Sequence, residues 1–265
     1  MAAAAMVGCG LMSAGVCAQG QDEAGSPFEK LAFDGMKVPR WVATAVIAAA
    51  EKTGVDPAFV MALADKESSF EPRSKARTSS AEGLFQFLEG TWLQVLRVHG
   101  EKHGFGDAAG AIKSVDGRLK VEDPDEKAWI LGLRQDPFLS ALMACEMVKS
   151  SRERLMQQTG RAPTEGELYL AHFLGTNGAG RLLKLVAANP SEKATKAFPS
   201  AAGANKAVFS ADAKKPHDAK KPKEATVAQL HARISSMIDK RLSRYSGLAK
   251  EARGDRLDLA SAGQL

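Results

Sequence analysis

Apolar side chains recur along most of this chain with the spacing of amphipathic helices. Asp56 and Pro57 supply an N-cap followed by a first-turn proline, while Gly54 and Gly160 follow periodic segments as stop signals. The pattern predicts helices over residues 39–52, 57–68, 91–99, 126–133, 137–159, 163–173 and 181–188. We therefore expect a mainly α domain.

One short segment has the pattern of a β-hairpin instead. Residues 115–121 alternate in polarity around Asp116-Gly117, a dipeptide favoured in two-residue hairpin turns. Residues 19–38 are an N-terminal segment in which we predict no hairpin. No repeat of 20 to 50 residues is visible, which argues against a solenoid.

The composition changes near Ser210, where lysine, proline and alanine dominate and predict a linker over residues 210–223. An amphipathic basic helix is expected over 224–250. It would either dock on the domain or pair with a copy of itself, or else bind a protein partner or a membrane surface. Its apolar stripe comprises Val227, Leu230, Ile234, Ile238, Leu242 and Tyr245, and its cationic face Arg233, Lys240, Arg241 and Arg244. The predicted organisation is thus a leader (1–18), an N-terminal segment (19–38), a domain (39–209), a linker (210–223), the basic helix (224–250) and a flexible tail (251–265).

The net charge of +5 is unevenly distributed. Residues 211–265 hold twelve Lys and Arg against seven Asp and Glu, whereas residues 1–210 hold 24 of each sign. A neutral domain lacks the basic footprint on which nucleic-acid binding depends. We therefore expect no nucleic-acid partner.

The first 18 residues are small or apolar and carry no charge. They are typical of a secretory leader with cleavage after Ala18, and they are too short for a stable membrane span. Cleavage would remove Cys9 and Cys17 and leave only Cys145, so that no intrachain disulfide could form. We expect export to the periplasm or cell envelope; lipoprotein anchoring through Cys9 is the weaker alternative.

A single carboxyl stands out chemically. Glu67 lies in the last turn of an apolar helix, where unpaired carbonyls disfavour further negative charge. Burial would act in the same direction, so we expect a raised pKa and a carboxyl able to donate a proton. The alternative is a solvated glutamate at a helix end. Asp65 cannot complete a two-carboxylate pair, since residues i and i+2 point to different sides of a helix.

The residues around Glu67 resemble a known family. Glu67-Ser68-Ser69-Phe70 followed by Pro72 resembles the Glu-Ser motif of the soluble lytic transglycosylases of glycoside hydrolase family 23. Gly83-Leu84-Phe85-Gln86 resembles their Gly-Leu-Met-Gln motif, at the right distance. Residues 171–179 are a divergent counterpart of their Ala-Tyr-Asn-Ala-Gly motif, with Phe173 and Leu174 at the Tyr and Asn positions.

The resemblance covers roughly residues 40–190 and implies a lysozyme-like, two-lobed helical fold with a groove. It implies cleavage of the MurNAc–GlcNAc β-1,4 bond of peptidoglycan without water, leaving a 1,6-anhydroMurNAc end. Glu67 would be the catalytic acid and then base. Because Phe173 cannot donate the hydrogen bond of the family tyrosine, Tyr169 or His172 would replace it. The implied substrate-binding residues are Ser68, Ser69, Gly83, Phe85, Gln86, Tyr169, His172 and Phe173.

Two other functions stay open at this point. A hydrolytic muramidase would need a carboxylate to activate water, for which Glu71 and Glu82 are the nearby candidates. A catalytically impaired wall-binding or secretion-assembly protein would explain the changed Tyr and Asn positions. No cofactor or metal is expected: His99 and His103 have an i, i+4 spacing, but Gly100 and Gly104 interrupt the helix and no third ligand is evident.

Overall fold

The computed structural model describes Ser26 and residues 29–211 and 224–248. The predicted leader, residues 212–223 of the predicted linker and the predicted tail lie outside these residues. The described elements are β1 Lys30–Phe33, β2 Met36–Pro39, α1 Arg40–Thr53, α2 Pro57–Ser68, α3 Glu89–His99, α4 Gly106–Ala111, β3 Lys113–Val115, β4 Arg118–Lys120, α5 Pro124–Gly132, α6 Pro137–Thr159, α7 Glu165–Leu174, α8 Thr176–Ala188, α9 Ala194–Ala197, α10 Pro199–Ala204 and α11 Val227–Tyr245. Short 3₁₀ turns span Glu101–His103 and Leu133–Gln135.

The mainly α architecture and the capping signals are confirmed. The Asp56 carboxylate accepts a hydrogen bond from Ala58 N at 3.0 Å and starts α2. Asp136 starts α6 in the same way, by accepting from Leu139 N at 2.7 Å. These side chains satisfy amide groups that the first turn of a helix leaves unpaired.

One helix is longer than predicted. α8 begins at Thr176 rather than at residue 181, so Gly178 and Gly180 lie inside the helix. A Cβ atom on Gly180 would stand 1.6 Å from Gln158 Oε1, on α6. The glycine that indicated a break in the sequence thus leaves room for the Gln158 side chain against α8.

A second hairpin was missed in residues 19–38. β1 and β2 pair antiparallel around Asp34-Gly35, just as β3 and β4 pair around Asp116-Gly117. All four turn residues have positive φ, which two-residue hairpin turns of this type require. The same Asp-Gly signal was present in both places, and the strands of the second hairpin are shorter still, so the first hairpin was equally predictable from its sequence.

The core is a single cluster in which α1 packs on α2 and α6. Cys145, on α6, is fully buried in it, and burial raises the pKa of its thiol to about 12. Across the described ranges, no helix combines the length and apolarity that crossing a bilayer demands.

The C-terminal helix α11 packs against the domain, on α2 and α7. Val227, Leu230, Ile234, Ile238 and Tyr245, five of the six predicted stripe residues, are fully buried. The docking interpretation is therefore confirmed, and the stripe is not available to another protein or a membrane. Much of the cationic face is also engaged: Arg233 donates to the Val208 carbonyl at 2.7 Å, and Arg241 and Arg244 reach Asp65.

Candidate active site

Glu67 lies in the last turn of the largely buried helix α2 and faces a cavity of 340 Å³. Ser69 caps the helix in the left-handed conformation, with φ 52°. Phe70 has the same left-handed conformation, with φ 64°. Walls come from α2, α6 and α7 and from the loop that precedes α3. The lining includes Phe59, Leu63, Phe85, Gln86, Phe87, Met147, Val148, Ser151, Leu168, His172 and Thr176. Among the described residues that line this cavity, Glu67 is the only carboxylate.

Two side chains of α7 contact the Glu67 carboxylate. The Tyr169 hydroxyl donates to Glu67 Oε1 at 3.4 Å, and His172 Nε2 lies 3.4 Å from the same oxygen. The two rings stack, with centroids 5.7 Å apart and an angle of 13° between their planes. Both residues suggested as replacements for the family tyrosine are therefore within reach of the carboxylate.

The expected rise in the pKa of Glu67 is wrong. Burial acts to raise it, but the hydrogen bond and charge of His172, together with Lys66 and Tyr169, outweigh burial and lower the pKa. The end of α2 by itself disfavours a further negative charge, but the groups that decide the pKa of Glu67 come mostly from α7. Burial and the Glu67 charge raise the pKa of Tyr169, which keeps its hydroxyl protonated as a donor.

Ser68 and Gln86 hold the loop that forms one cavity wall. Ser68 Oγ donates to the Leu84 carbonyl at 2.8 Å, which ties the loop to the end of α2. Gln86, with φ 48°, donates from Nε2 to the carbonyls of Ser74 and Gly83 at 3.1 and 2.9 Å. The Ser68 hydroxyl therefore fixes this loop. Gln86 lines the cavity, but its side-chain amide donates its hydrogen bonds to carbonyls of the loop itself.

Gly83 supports the same loop from behind. It has φ 85°, and an added Cβ would meet the Arg134 carbonyl oxygen at 2.1 Å. Arg134 is itself buried and donates to the carbonyls of Ser80 and Phe87 at 2.7 and 3.1 Å. Gly83 is thus required by packing and does not line the cavity.

Neither candidate base for hydrolysis lines the cavity. Glu82 is bound by Arg134 Nη2 at 2.7 Å and by Gln135 Nε2 at 2.7 Å. Glu71 accepts a hydrogen bond from Arg73 N at 3.1 Å and is exposed. A water held at Glu67 would therefore find no second carboxylate among the described lining residues.

The predicted site residues thus divide by location. Glu67, Phe85, Gln86 and His172 line the cavity, and Tyr169 contacts Glu67 from the buried side. Ser69 is an exposed helix cap, and Phe173 packs on the core without reaching the cavity. Sequence reasoning missed the contribution of α6, where Met147 and Ser151, one turn apart, were visible only as part of a helical pattern.

The cavity continues into a smaller hollow of 220 Å³. The two share Thr91, Met147, Ser151 and Thr176, and the second extends to His99 and Arg154. His99 Nδ1 lies 3.6 Å from Glu146 Oε2, and His103 Nε2 lies 2.9 Å from Glu146 Oε1. The two histidines therefore belong to an ion-pair cluster around Glu146.

Residues 44–113 match the family model of the transglycosylase SLT domain. This segment contains Glu67 and the Gly83–Gln86 motif. Residues 44–113 are thus similar to an SLT domain, and the mainly helical architecture with small hairpins is consistent with a lysozyme-like fold. The family indicates, in general terms, a lytic-transglycosylase-like action on peptidoglycan. The residues of α6 and α7 that line the cavity or contact Glu67 lie beyond the matched segment.

Proposed function

We propose that this protein is a peptidoglycan lytic transglycosylase that cleaves the MurNAc–GlcNAc β-1,4 bond without water. The observation that carries the proposal is one carboxylate, Glu67, in a cavity whose other described lining residues supply no second one. A two-step proton transfer by one carboxyl needs only that group, whereas the usual glycosidase needs two.

In the first step, protonated Glu67 donates its proton to the glycosidic oxygen as the bond from that oxygen to C1 breaks. The N-acetyl oxygen of the same MurNAc residue stabilises the electron-poor C1. In the second step, the Glu67 carboxylate removes the proton of the C6 hydroxyl, and O6 bonds to C1. The products are a new GlcNAc hydroxyl end and a 1,6-anhydroMurNAc end, and Glu67 regains its proton.

The environment of Glu67 supports both roles. His172 and Tyr169 stabilise the carboxylate that must act as a base after the bond breaks. Before that, a sugar that fills the cavity displaces water from the carboxyl, and desolvation favours the protonated form that acts as the acid. Since the pKa of Glu67 is lowered in the structure, cleavage should rise as the pH falls from neutral.

Export to the periplasm or cell envelope completes the proposal, since peptidoglycan lies there. It is supported by the apolar, uncharged segment 1–18, which is typical of a secretory leader.

Mass spectrometry of the fragments released from purified peptidoglycan tests the reaction. Glu67→Gln keeps the size of the side chain and should lower the rate by roughly 10²- to 10⁴-fold. The matched control is Glu71→Gln, which removes an exposed carboxyl outside the cavity and should leave activity unchanged. Products ending in 1,6-anhydroMurNAc are expected. Reducing ends, heavier by one water, would instead establish a hydrolase, and wall binding without any product would establish a binding protein.

A further inference from the structure

Asp65 is a buried carboxylate that the proposed chemistry does not use. It lies on α2, two residues before Glu67, and is 4% exposed. Because residues i and i+2 point to different sides of a helix, Asp65 faces away from the cavity. A charge in this position is costly unless partners compensate it.

Within the described ranges, the side-chain partners of the Asp65 carboxylate come from the last turns of α11. Arg244 Nη1 and the Tyr245 hydroxyl donate to Asp65 Oδ2 at 2.6 and 2.8 Å, and Arg241 Nε lies 3.4 Å from Oδ1. The Tyr245 ring is fully buried and lies 5.5 Å from the ring of Phe33 and 5.9 Å from that of Phe70. This contact joins the first hairpin, α2 and the C-terminal helix.

Helix α11 also packs on α7, which carries Tyr169 and His172. Arg241 pairs with Asp65, and its positive charge also acts on Tyr169, whose pKa it lowers against the effect of burial. One helix therefore holds both α2, with Glu67, and α7, with the two side chains that contact it. A donor and a carboxylate 3.4 Å apart have little tolerance for a relative shift of their helices.

We propose that Asp65, through Arg241, Arg244 and Tyr245, positions Glu67 against Tyr169 and His172. These are positioning residues, and α11 is part of the support of the active site. Their kinetic effect rests on the proposed function, whereas their effect on the Glu67 carboxyl does not.

The network also has an electrostatic consequence. The charged and titratable groups near Glu67 are His172 and Tyr169 from α7 and Lys66 from its own helix, with Asp65 and Arg241 behind them. Asp65 neutralises the two arginines of α11. Its replacement by a neutral residue removes a like charge and leaves the arginines uncompensated, and both changes favour ionised Glu67.

Asp65→Asn in the full chain tests the proposal. We follow the Glu67 carboxyl by NMR of protein labelled with ¹³C at glutamate side chains, with Glu67→Gln to assign its signal. In Asp65→Asn, kcat on peptidoglycan should fall about tenfold or more while KM changes less than about twofold. The lost charge lowers the pKa of Glu67 and loosened contacts with Tyr169 and His172 raise it, so the titration that reports position is that of Tyr245→Phe, which keeps every charge. Lys240→Gln, which removes an exposed cation from the same helix, should alter neither quantity.

Tyr245→Phe separates geometry from charge. It removes one hydrogen bond to Asp65 and keeps every charge, so kcat should fall and Glu67 should titrate at higher pH as its contacts with Tyr169 and His172 loosen. An unchanged Glu67 titration in Tyr245→Phe, or an equal shift in Lys240→Gln, would overturn the proposal. A Glu67 titration raised by Tyr245→Phe, in a protein whose parent form does not cleave peptidoglycan, would support the positioning role and refute the proposed function. If Asp65→Asn does not fold, full activity in Tyr245→Phe would overturn it.

Discussion

Replacing Gly83 by alanine tests the packing behind the cavity wall. The backbone there has φ 85°, and the new Cβ would stand 2.1 Å from the Arg134 carbonyl oxygen. Ordinary contacts begin near 3.4 Å, so one backbone segment must move by about 1 Å. Arg134 cannot move freely, because its guanidinium is bound to Glu82 and to the carbonyls of Ser80 and Phe87.

Two costs add. An L-residue with positive φ costs about 1.5 kcal/mol, and forcing a methyl group into occupied space costs about 2 kcal/mol. The free energy of unfolding should therefore fall by about 3.5 kcal/mol. Because Phe85 and Gln86 follow within three residues and line the cavity, cleavage should also fall, by about tenfold at a temperature where the variant is folded.

Gly35→Ala is the matched control. Gly35 has φ 81°, but no atom lies within 4 Å of an added Cβ, so only the backbone cost of about 1.5 kcal/mol applies. Urea denaturation of both variants measures the difference, and the peptidoglycan assay measures the effect on the site. Equal losses of stability, or full activity in Gly83→Ala, would refute the role of the Arg134 contact.

Three further changes have definite expected results. Tyr169→Phe removes a long hydrogen bond to Glu67, so activity should fall roughly fivefold and the activity profile should move to higher pH as the pKa of Glu67 rises; unchanged activity would exclude this contact from catalysis. Glu146→Gln should cost about 3 kcal/mol at neutral pH, measured by urea denaturation. The pKa of Glu146 is lowered because its lysine and histidine partners outweigh burial, so this stability is present above its ordinary value of 4.5 and is lost as the pH falls through the lowered pKa. A loss independent of pH would contradict that origin. Ile234→Ala removes a 0% exposed side chain and should cost about 3 kcal/mol; a loss below about 0.5 kcal/mol would mean that α11 is not docked.

Helix positions and their buried faces were largely predictable, because they depend on local spacing and capping. The stripe of α11 identified Ile234 and Ile238 as residues to be buried, yet periodicity carries no information about the surface that buries them. Only the three-dimensional structure places α11 on α2 and α7. For this reason Arg241 and Arg244 were assigned only to a cationic face opposite the apolar stripe, although they reach Asp65.

The candidate site was predictable where a motif is continuous in sequence. Glu67 and Gln86 lie in two such motifs, and both line the cavity. The pKa of Glu67 was predicted in the wrong direction because its sign depends on His172, which is distant in sequence. Phe173, chosen by its place in a divergent motif, packs on the core, while His172 beside it lines the cavity and contacts Glu67.

The burial of Cys145 makes it a reporter of structural opening. From residue 19 onward it is the only cysteine in the sequence, and a thiol with a pKa of about 12 in a closed core is almost inert toward alkylating reagents. Reaction then requires α6 to separate from its neighbours. The rate of thiol labelling, followed by mass, would measure how often the centre of the domain opens, and substrate bound in the adjoining cavity should slow it.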